Sequence, residues 1–310
     1  MICLVPRFGL VFAREPGKDV RASMPTAPVE LILTTLELSL LLVGAVLIFR
    51  LLADPGLRNR WLGSRPLPPW PVTLAEFAIF VFLIFGTGLF FQAILQFILN
   101  DSVTHAADRS GLLVCLNGLG QDGGGLVGWL LFRSLQKTWQ VEIGAGLTPV
   151  MPAPSLPWSK VWLYAGGTLA AAMPVLILFN LGWLFVLKKL GLPDEPQDLL
   201  AIFTQARSPF VVAALLVVAC GLAPLYEELL FRGGLYRFCR QRLGRNWALV
   251  ISGFLFGAMH QNLASFLPLS IFGLVLALAY EATGSIRVAV VAHGLFNLNT
   301  VLILLSGLPT

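Results

Sequence analysis

Two adjacent glutamates, Glu227 and Glu228, lie in an apolar stretch with Arg232 one helical turn later. Ionised side chains are costly in a membrane, so an intramembrane acid indicates a functional site. On a helix, Glu228 and Arg232 share a face and can form an ion pair that lowers the cost of burying both charges. Glu227 lies about 100 degrees further round the helix and can face a cavity. We therefore expect Glu228 and Arg232 to support the helix and Glu227 to carry the chemistry.

Two of the three histidines also fall in apolar segments, downstream of the glutamates. His260 ends the run Phe256-Gly-Ala-Met-His260, and His293 is four residues before Asn297, which places both on one helix face. Hydrogen bonding between helices explains a single His or Asn, but the combination favours catalysis. A carboxylate with a histidine can activate a water, and a His with an Asn can donate hydrogen bonds to an oxyanion. These are the parts of a peptide hydrolase.

The same side chains also suit a metal site. Glu227, His260 and His293 supply one oxygen and two nitrogen ligands, a set typical of catalytic zinc with a fourth position open for water. The residues alone do not decide between zinc and a metal-free mechanism.

The composition predicts the elements that position these residues. The chain is 57% hydrophobic and 12% charged, with a mean hydropathy of +0.82, whereas soluble domains carry about 25% charged residues. We predict an all-α, polytopic membrane helix bundle, because a span needs about 20 mostly apolar residues. Eight apolar stretches meet or approach that length, the sixth being the shortest. They lie near residues 30–51, 73–99, 111–133, 160–187, 209–231, 246–260, 264–282 and 286–306.

The net charge of +5 would suggest nucleic acid as a partner of a soluble protein, but here the arginines flank apolar spans and we expect no nucleic acid. Such clusters are typical of cytoplasmic loops. The two clusters are Arg58, Arg60, Arg65 and Arg237, Arg240, Arg242, Arg245. If both clusters are cytoplasmic, a bundle of eight spans has both of its termini outside. Basic residues before the first span would instead favour a cytoplasmic N-terminus. The conflict disappears if translation begins at Met24.

The chain divides into three parts. Residues 1–29 are predicted to be an N-terminal tail, 30–187 the N-terminal transmembrane helices, and 188–310 the catalytic transmembrane core. The glycine-rich stretch Gly118–Gly128 indicates close helix packing or a break in the third span. The polar segment Pro193–Pro209 is interpreted as a loop.

Two further polar residues are assigned no part in the site. Glu281 is interpreted as a solvated helix end, and His105 as part of a polar loop.

The ordered pattern Glu-Glu-x-x-x-Arg, Phe-x-x-x-His and His-x-x-x-Asn resembles the CPBP intramembrane protease family, also called the ABI or CAAX-protease family. The resemblance covers roughly residues 180–306 and includes all three motifs without substitution. It implies that Glu227 and His260 activate the attacking water and that His293 and Asn297 stabilise the tetrahedral intermediate. Glu228 and Arg232 would support them. The family is commonly called a metalloprotease family, although a metal-free glutamate mechanism is also argued for it, so the cofactor expected is zinc or none.

The leading interpretation is an endopeptidase that cuts a peptide bond within or near the bilayer. Its expected partners are membrane lipids and a peptide or protein substrate, including membrane-anchored ones, and its expected location is the bacterial cytoplasmic membrane. A non-catalytic peptide-binding or bacteriocin-immunity protein is the alternative. A proton-coupled carrier is a third interpretation, disfavoured because the chain shows no internal repeat. The sequence predicts neither the substrate nor the oligomeric state.

Overall fold

The structure is a computed structural model that describes residues 27–64, 67, 70–104, 108–142, 156–195 and 198–306. The described residues form helices and short connections, with no strand among them. The predicted start at Met24, almost all of the predicted N-terminal tail, and His105 lie outside this part of the chain.

The helices are numbered in chain order. Those before the glutamates are α1 Ala27–Ala53, α2 Pro55–Leu62, α3 Leu74–Thr104, α4 109–142, α5 Trp158–Leu190 and α6 Asp198–Gln205. The remainder are α7 Pro209–Leu243, α8 Arg245–Ala258, α9 Leu263–Thr283 and α10 Ile286–Ser306. Helix α6 corrects the prediction that Pro193–Pro209 is entirely loop, since the apolar run in Asp198–Gln205 forms two helical turns.

Six of these helices are long and apolar enough to cross a membrane in the described part of the chain. They are α1, α3, α5, α7, α9 and α10. The all-α polytopic bundle is therefore confirmed, but the count of eight spans is not. The predicted third and sixth spans correspond to α4 and α8. Both are helical, but neither is among the six helices that are long and apolar enough to cross a membrane. Helix α8 has 14 residues, or about 21 Å at 1.5 Å per residue, which is short of a bilayer core of about 30 Å.

Helix α4 packs closely against α3 through glycines spaced four residues apart. A Cβ atom at Gly124 would lie 2.6 Å from the backbone oxygen of Thr87, and one at Gly128 would lie 2.4 Å from that of Leu83. The helix also changes to π geometry over Leu119–Gly123. The glycine-rich stretch thus provides the close packing predicted for it, whereas the alternative, a break in the helix, is not present, because the helix stays continuous through the π segment.

The helix that carries the glutamates, α7, is continuous from Pro209 to Leu243 and contains two π segments, Val218–Leu222 and Leu229–Tyr236. Glu227 and Glu228 lie between them. From the sequence, Glu227 and His260 can meet only if both lie well inside the membrane, which predicts that the helix of the glutamates continues past Arg232 toward Arg240. The observed helix does so, and the glutamates lie near its middle.

The two basic clusters meet at one end of the bundle. Arg240 donates to Ser64 Oγ at 3.0 Å, and Arg245 donates to the backbone oxygen of Leu62 at 2.7 Å. This agrees with the prediction that both clusters lie on the same side of the membrane.

Glu281 lies in the same region and corrects a prediction. It is 2% exposed and pairs with Arg240 and Arg245, each at 2.6 Å, so it is a buried ion-pair centre and not a solvated helix end. Both partners come from helices distant in sequence, which local sequence reasoning could not show.

Candidate active site

Helix α8 is short and its end brings a histidine to the depth of the glutamates. The helix stops at Ala258, and His260 lies in the turn before α9. Gln261 in this turn has a positive φ of 51°, a backbone conformation that non-glycine residues adopt uncommonly and that often accompanies functional sites. The turn ends at Asn262, whose side chain accepts from Ser265 N at 2.9 Å and begins α9.

Glu228 connects the helix that carries it to the last span. Its Oε1 accepts from Arg232 Nη1 at 2.7 Å and lies 3.0 Å from His293 Nδ1. Arg232 also donates to the backbone oxygen of Gly273 on α9. The predicted Glu228–Arg232 pair is therefore present, and it fixes α7, α9 and α10 relative to one another. All of these side chains are fully buried.

Glu227 faces both histidines, as the helix geometry predicted. Its Oε2 lies 4.0 Å from His260 Nε2 and 3.9 Å from His293 Nε2, with all three side chains fully buried. These separations exceed a hydrogen bond. Each pair of atoms can nevertheless contact one small molecule placed between them.

The hydrogen bonds at the far sides of the two rings determine which nitrogen carries a proton. His260 Nδ1 lies 2.7 Å from the backbone oxygen of Phe256. A carbonyl only accepts, so Nδ1 carries the hydrogen and neutral His260 presents a lone pair at Nε2. The same argument gives His293 a hydrogen on Nδ1, toward the Glu228 carboxylate. Burial lowers the pKa of His260, which lies outside the six spans, to about 4, so this ring is neutral at pH 7.

Aromatic rings enclose the polar groups. The Phe256 ring lies 5.2 Å from that of His260 and 5.6 Å from that of His293, and the Arg232 guanidinium lies 4.7 Å from its centroid. Phe272 packs on the other side of His293 at 5.6 Å. This apolar enclosure strengthens electrostatic interactions between the groups inside it, because it lowers the local dielectric constant.

Asn297 contacts the glutamate helix in a way that the sequence did not show. Its Nδ2 donates to the backbone oxygen of Ala219 at 2.7 Å. In the π register, that oxygen would accept from the residue five positions later, which is Pro224 and has no N–H. Gly294 allows the close approach, since a Cβ there would lie 2.4 Å from the oxygen of Cys220. Asn297 thus satisfies a carbonyl that Pro224 leaves without its helical donor.

The side chains predicted for zinc lie farther apart than the ligands of a zinc site. Zinc bonds of about 2.0 to 2.2 Å place tetrahedral ligands about 3.3 Å apart, whereas Glu227 Oε2 lies 3.9 and 4.0 Å from the two imidazole nitrogens. Within the described residues, no group of three His, Cys, Asp or Glu side chains is placed to hold a metal ion. The donor set has suitable chemistry but does not fit zinc in this arrangement, and the expectation of zinc or no cofactor stays a prediction.

A further part of the site comes from α4. Tyr226, beside Glu227, lies with its hydroxyl 3.5 Å from Gln121 Nε2. The neighbouring Asp122 is 1% exposed and close enough for its charge to interact with that of Glu227. The only sequence signal was an acid within a glycine-rich apolar segment, which was interpreted as a packing feature.

Residues 209–299 match the family model described as type II CAAX prenyl endopeptidase Rce1-like. This segment of the chain is similar to an Rce1-like domain. The match confirms the predicted resemblance to the CPBP/CAAX protease family and contains all three motifs. The chain has no significant match among curated proteins or solved structures.

The Rce1-like domain begins at the first residue of α7 and ends within α10. It therefore includes the glutamates, both site histidines and Asn297, but not α4 with Gln121 and Asp122. With six apolar helices of spanning length in its described part, the chain is a multi-pass integral membrane protein, and its residues 209–299 are similar to a CAAX-protease-type domain.

Proposed function

We propose that this protein is an intramembrane endopeptidase that hydrolyses a peptide bond within or near the bilayer by means of a water activated by Glu227 and His260. The observation that carries the proposal is the convergence of Glu227 Oε2 and His260 Nε2, 4.0 Å apart in a fully buried site. Two atoms at this separation can each lie about 2.8 Å from one water oxygen, with an angle near 90 degrees there. That angle suits the two donor hydrogens of a water.

In this mechanism the water attacks the peptide carbonyl carbon while its proton passes to Glu227. His260 holds the water through its Nε2 lone pair, because its Nδ1 hydrogen is bonded to Phe256. The tetrahedral intermediate collapses as the C–N bond breaks, and Glu227 returns the proton to the leaving amine. General base catalysis of this type typically contributes a factor of about 10² to 10⁴.

The oxyanion of the intermediate requires hydrogen-bond donors. We assign this role to His293, with its Nε2 protonated and the positive charge balanced by Glu228 at 3.0 Å. Asn297 lies one turn later on the same helix. Its side-chain amide, which also donates to the backbone oxygen of Ala219, is the second donor proposed for the oxyanion. No step is assigned to a metal.

The family match supports a substrate with a prenylated, membrane-anchored C-terminus, since the matching model is that of CAAX prenyl endopeptidases. A farnesyl chain would hold such a peptide at the bilayer. We therefore propose that the substrate reaches the site from the membrane.

The test is cleavage of a farnesylated peptide with a Cys-aliphatic-aliphatic-X end by protein reconstituted in liposomes, followed by mass spectrometry. We expect Glu227→Gln and His260→Ala each to lower kcat at least 100-fold. Glu195→Gln, on an exposed connection, is the matched control and should retain activity. Undiminished cleavage by either site variant would refute the mechanism. Peptide binding without cleavage by the unmodified protein would favour the non-catalytic alternative.

A further inference from the structure

Asp122 is a buried acid that the Rce1-like domain does not explain. It lies in the π segment Leu119–Gly123 of α4, outside the matched residues, and is 1% exposed. Its Oδ2 atom has no hydrogen-bond partner in the described part of the chain. Burying a carboxyl group without a full set of partners costs free energy. Such a group is retained more readily where a ligand supplies the missing donor.

The packing of α4 fixes the direction of this acid. Gly124 and Gly128 hold one face of α4 against α3. On the other face, a Cβ atom at Gly125 would lie 2.2 Å from the ring of Tyr226, so the α4 backbone runs directly against the residue that precedes Glu227. The hydrogen bond between Gln121 and Tyr226 and the charge interaction between Asp122 and Glu227 place Asp122 on the same side.

The π geometry is a second, independent indication. Single π turns in helices frequently accompany functional sites. The π segment of α4 contacts Ala223–Glu228 and the π segment Val218–Leu222 of α7. Asp122 therefore lies where the irregular parts of two helices meet beside Glu227.

A buried aspartate with a purely structural role would have hydrogen-bond donors from the protein. Asp108 lies immediately before α4. It accepts from the backbone nitrogens of Arg207 and Ser208 at 3.1 and 2.6 Å, and so joins the start of α4 to the connection before α7. No comparable donor reaches Asp122 Oδ2 among the described residues. The two aspartates thus make a matched pair: Asp108 has donors from the protein at both oxygens, and Asp122 has none at Oδ2 among the described residues.

We propose that Asp122 is a substrate-binding residue whose carboxylate accepts a hydrogen bond from an N–H group of the bound peptide and so aligns the scissile bond with Glu227 and His260. The proposal rests on the proposed endopeptidase function. The donor is a backbone amide or the ammonium of a lysine side chain, which share N–H chemistry and can be told apart experimentally. Asp122 forms and breaks no covalent bond.

The experiment compares Asp122→Asn, Asp122→Leu and the control Asp108→Asn with the unmodified protein in liposomes. The probe is the farnesylated Cys-aliphatic-aliphatic-X peptide in three forms: unmodified, with lysine in place of one aliphatic residue, and with N-methylation of an amide next to the scissile bond. For each combination of protein and peptide, kcat/KM and Kd are measured. The thermal midpoint Tm is measured for each protein.

We expect Asp122→Leu to raise Kd and lower kcat/KM roughly 10- to 100-fold, as for the loss of a hydrogen bond to a charged group. Asp122→Asn should show a smaller change in the same direction. The Tm should stay equal or rise, because Oδ2 has no hydrogen-bond partner to lose within the described residues. Asp108→Asn should instead lower Tm and leave Kd unchanged.

The three peptides identify the donor. A backbone amide donor predicts equal losses for the first two peptides and no dependence on Asp122 for the methylated one. A lysine donor predicts a loss only for the lysine peptide.

Unchanged Kd and kcat/KM with every peptide would overturn the proposal, as would a fall in Tm that accounts for the loss of activity. Failure of the peptide to bind the unmodified protein would overturn it too. Because Kd is measured separately, binding that depends on Asp122 would survive a finding that Glu227→Gln still cleaves, which would refute only the proposed mechanism.

Discussion

The two adjacent glutamates should respond differently to the same substitution. Glu228→Gln removes the charge that faces Arg232 at 2.7 Å and weakens the contact with His293 at 3.0 Å. Both members of the ion pair are fully buried, so the guanidinium would be left without its counter-charge. Removing one partner of a buried pair costs about 3 to 5 kcal/mol. That corresponds to a fall in Tm on the order of 10 °C.

Glu227→Gln should be nearly neutral for stability. Glu227 Oε2 lies 3.9 and 4.0 Å from the two imidazole nitrogens, farther than Glu228 lies from Arg232 and His293, and glutamine keeps the shape of the side chain. We expect a change of about 1 kcal/mol or less together with loss of cleavage. The measurement is thermal unfolding in detergent beside cleavage of the farnesylated peptide in liposomes.

A double variant separates the two effects of Glu228. Replacing a whole buried ion pair by apolar or neutral groups is often neutral for stability. Glu228→Gln/Arg232→Met should therefore recover most of the lost Tm. Cleavage should remain low, because His293 still lacks the carboxylate that balances its charge. Equal losses of Tm for Glu227→Gln and Glu228→Gln would refute the division of roles, as would a double variant no more stable than Glu228→Gln.

Three further results are expected. Gly294→Ala should destabilise by about 1 to 3 kcal/mol, because its Cβ would lie 2.4 Å from a backbone oxygen, whereas Gly182→Ala, with nothing within 4 Å of its Cβ, should be neutral or slightly stabilising in thermal unfolding. Arg232→Lys should lower Tm and cleavage, since one ammonium cannot replace the two guanidinium nitrogens that bind Glu228 and Gly273. Purified protein should cleave equally with and without a chelator, checked against its zinc content, and loss of activity that zinc restores would contradict the metal-free mechanism.

Local spacing was sufficient to predict the parts of the site that lie on one helix. Glu228 and Arg232 are four residues apart, and the helical period alone places them together and turns Glu227 away. The depth of the glutamates followed from the need to bring Glu227 and His260 to the same level. The structure agrees on each point, and the short α8 brings His260 to the level of the glutamates.

Contacts between distant segments could not be predicted in this way. Glu281 was assigned to solvent because its ion-pair partners, Arg240 and Arg245, lie on other helices. Asp122 was overlooked because its neighbours are glycines, whose usual role in membrane helices is close packing. That interpretation was correct, and the same close packing brings Asp122 beside Glu227.

The charges of the site also explain why its two glutamates cannot substitute for each other. In the proposed mechanism Glu227 and Glu228 are negative, whereas Arg232 and protonated His293 are positive, so these four side chains together carry no net charge. This balance is needed because isolated charges in a low-dielectric site are unfavourable. Glu228 lies within hydrogen-bond distance of both positive groups, whereas Glu227 faces the second histidine. A proton accepted by Glu227 during attack is matched by the new charge on the oxyanion beside His293, so the net charge stays constant through the reaction.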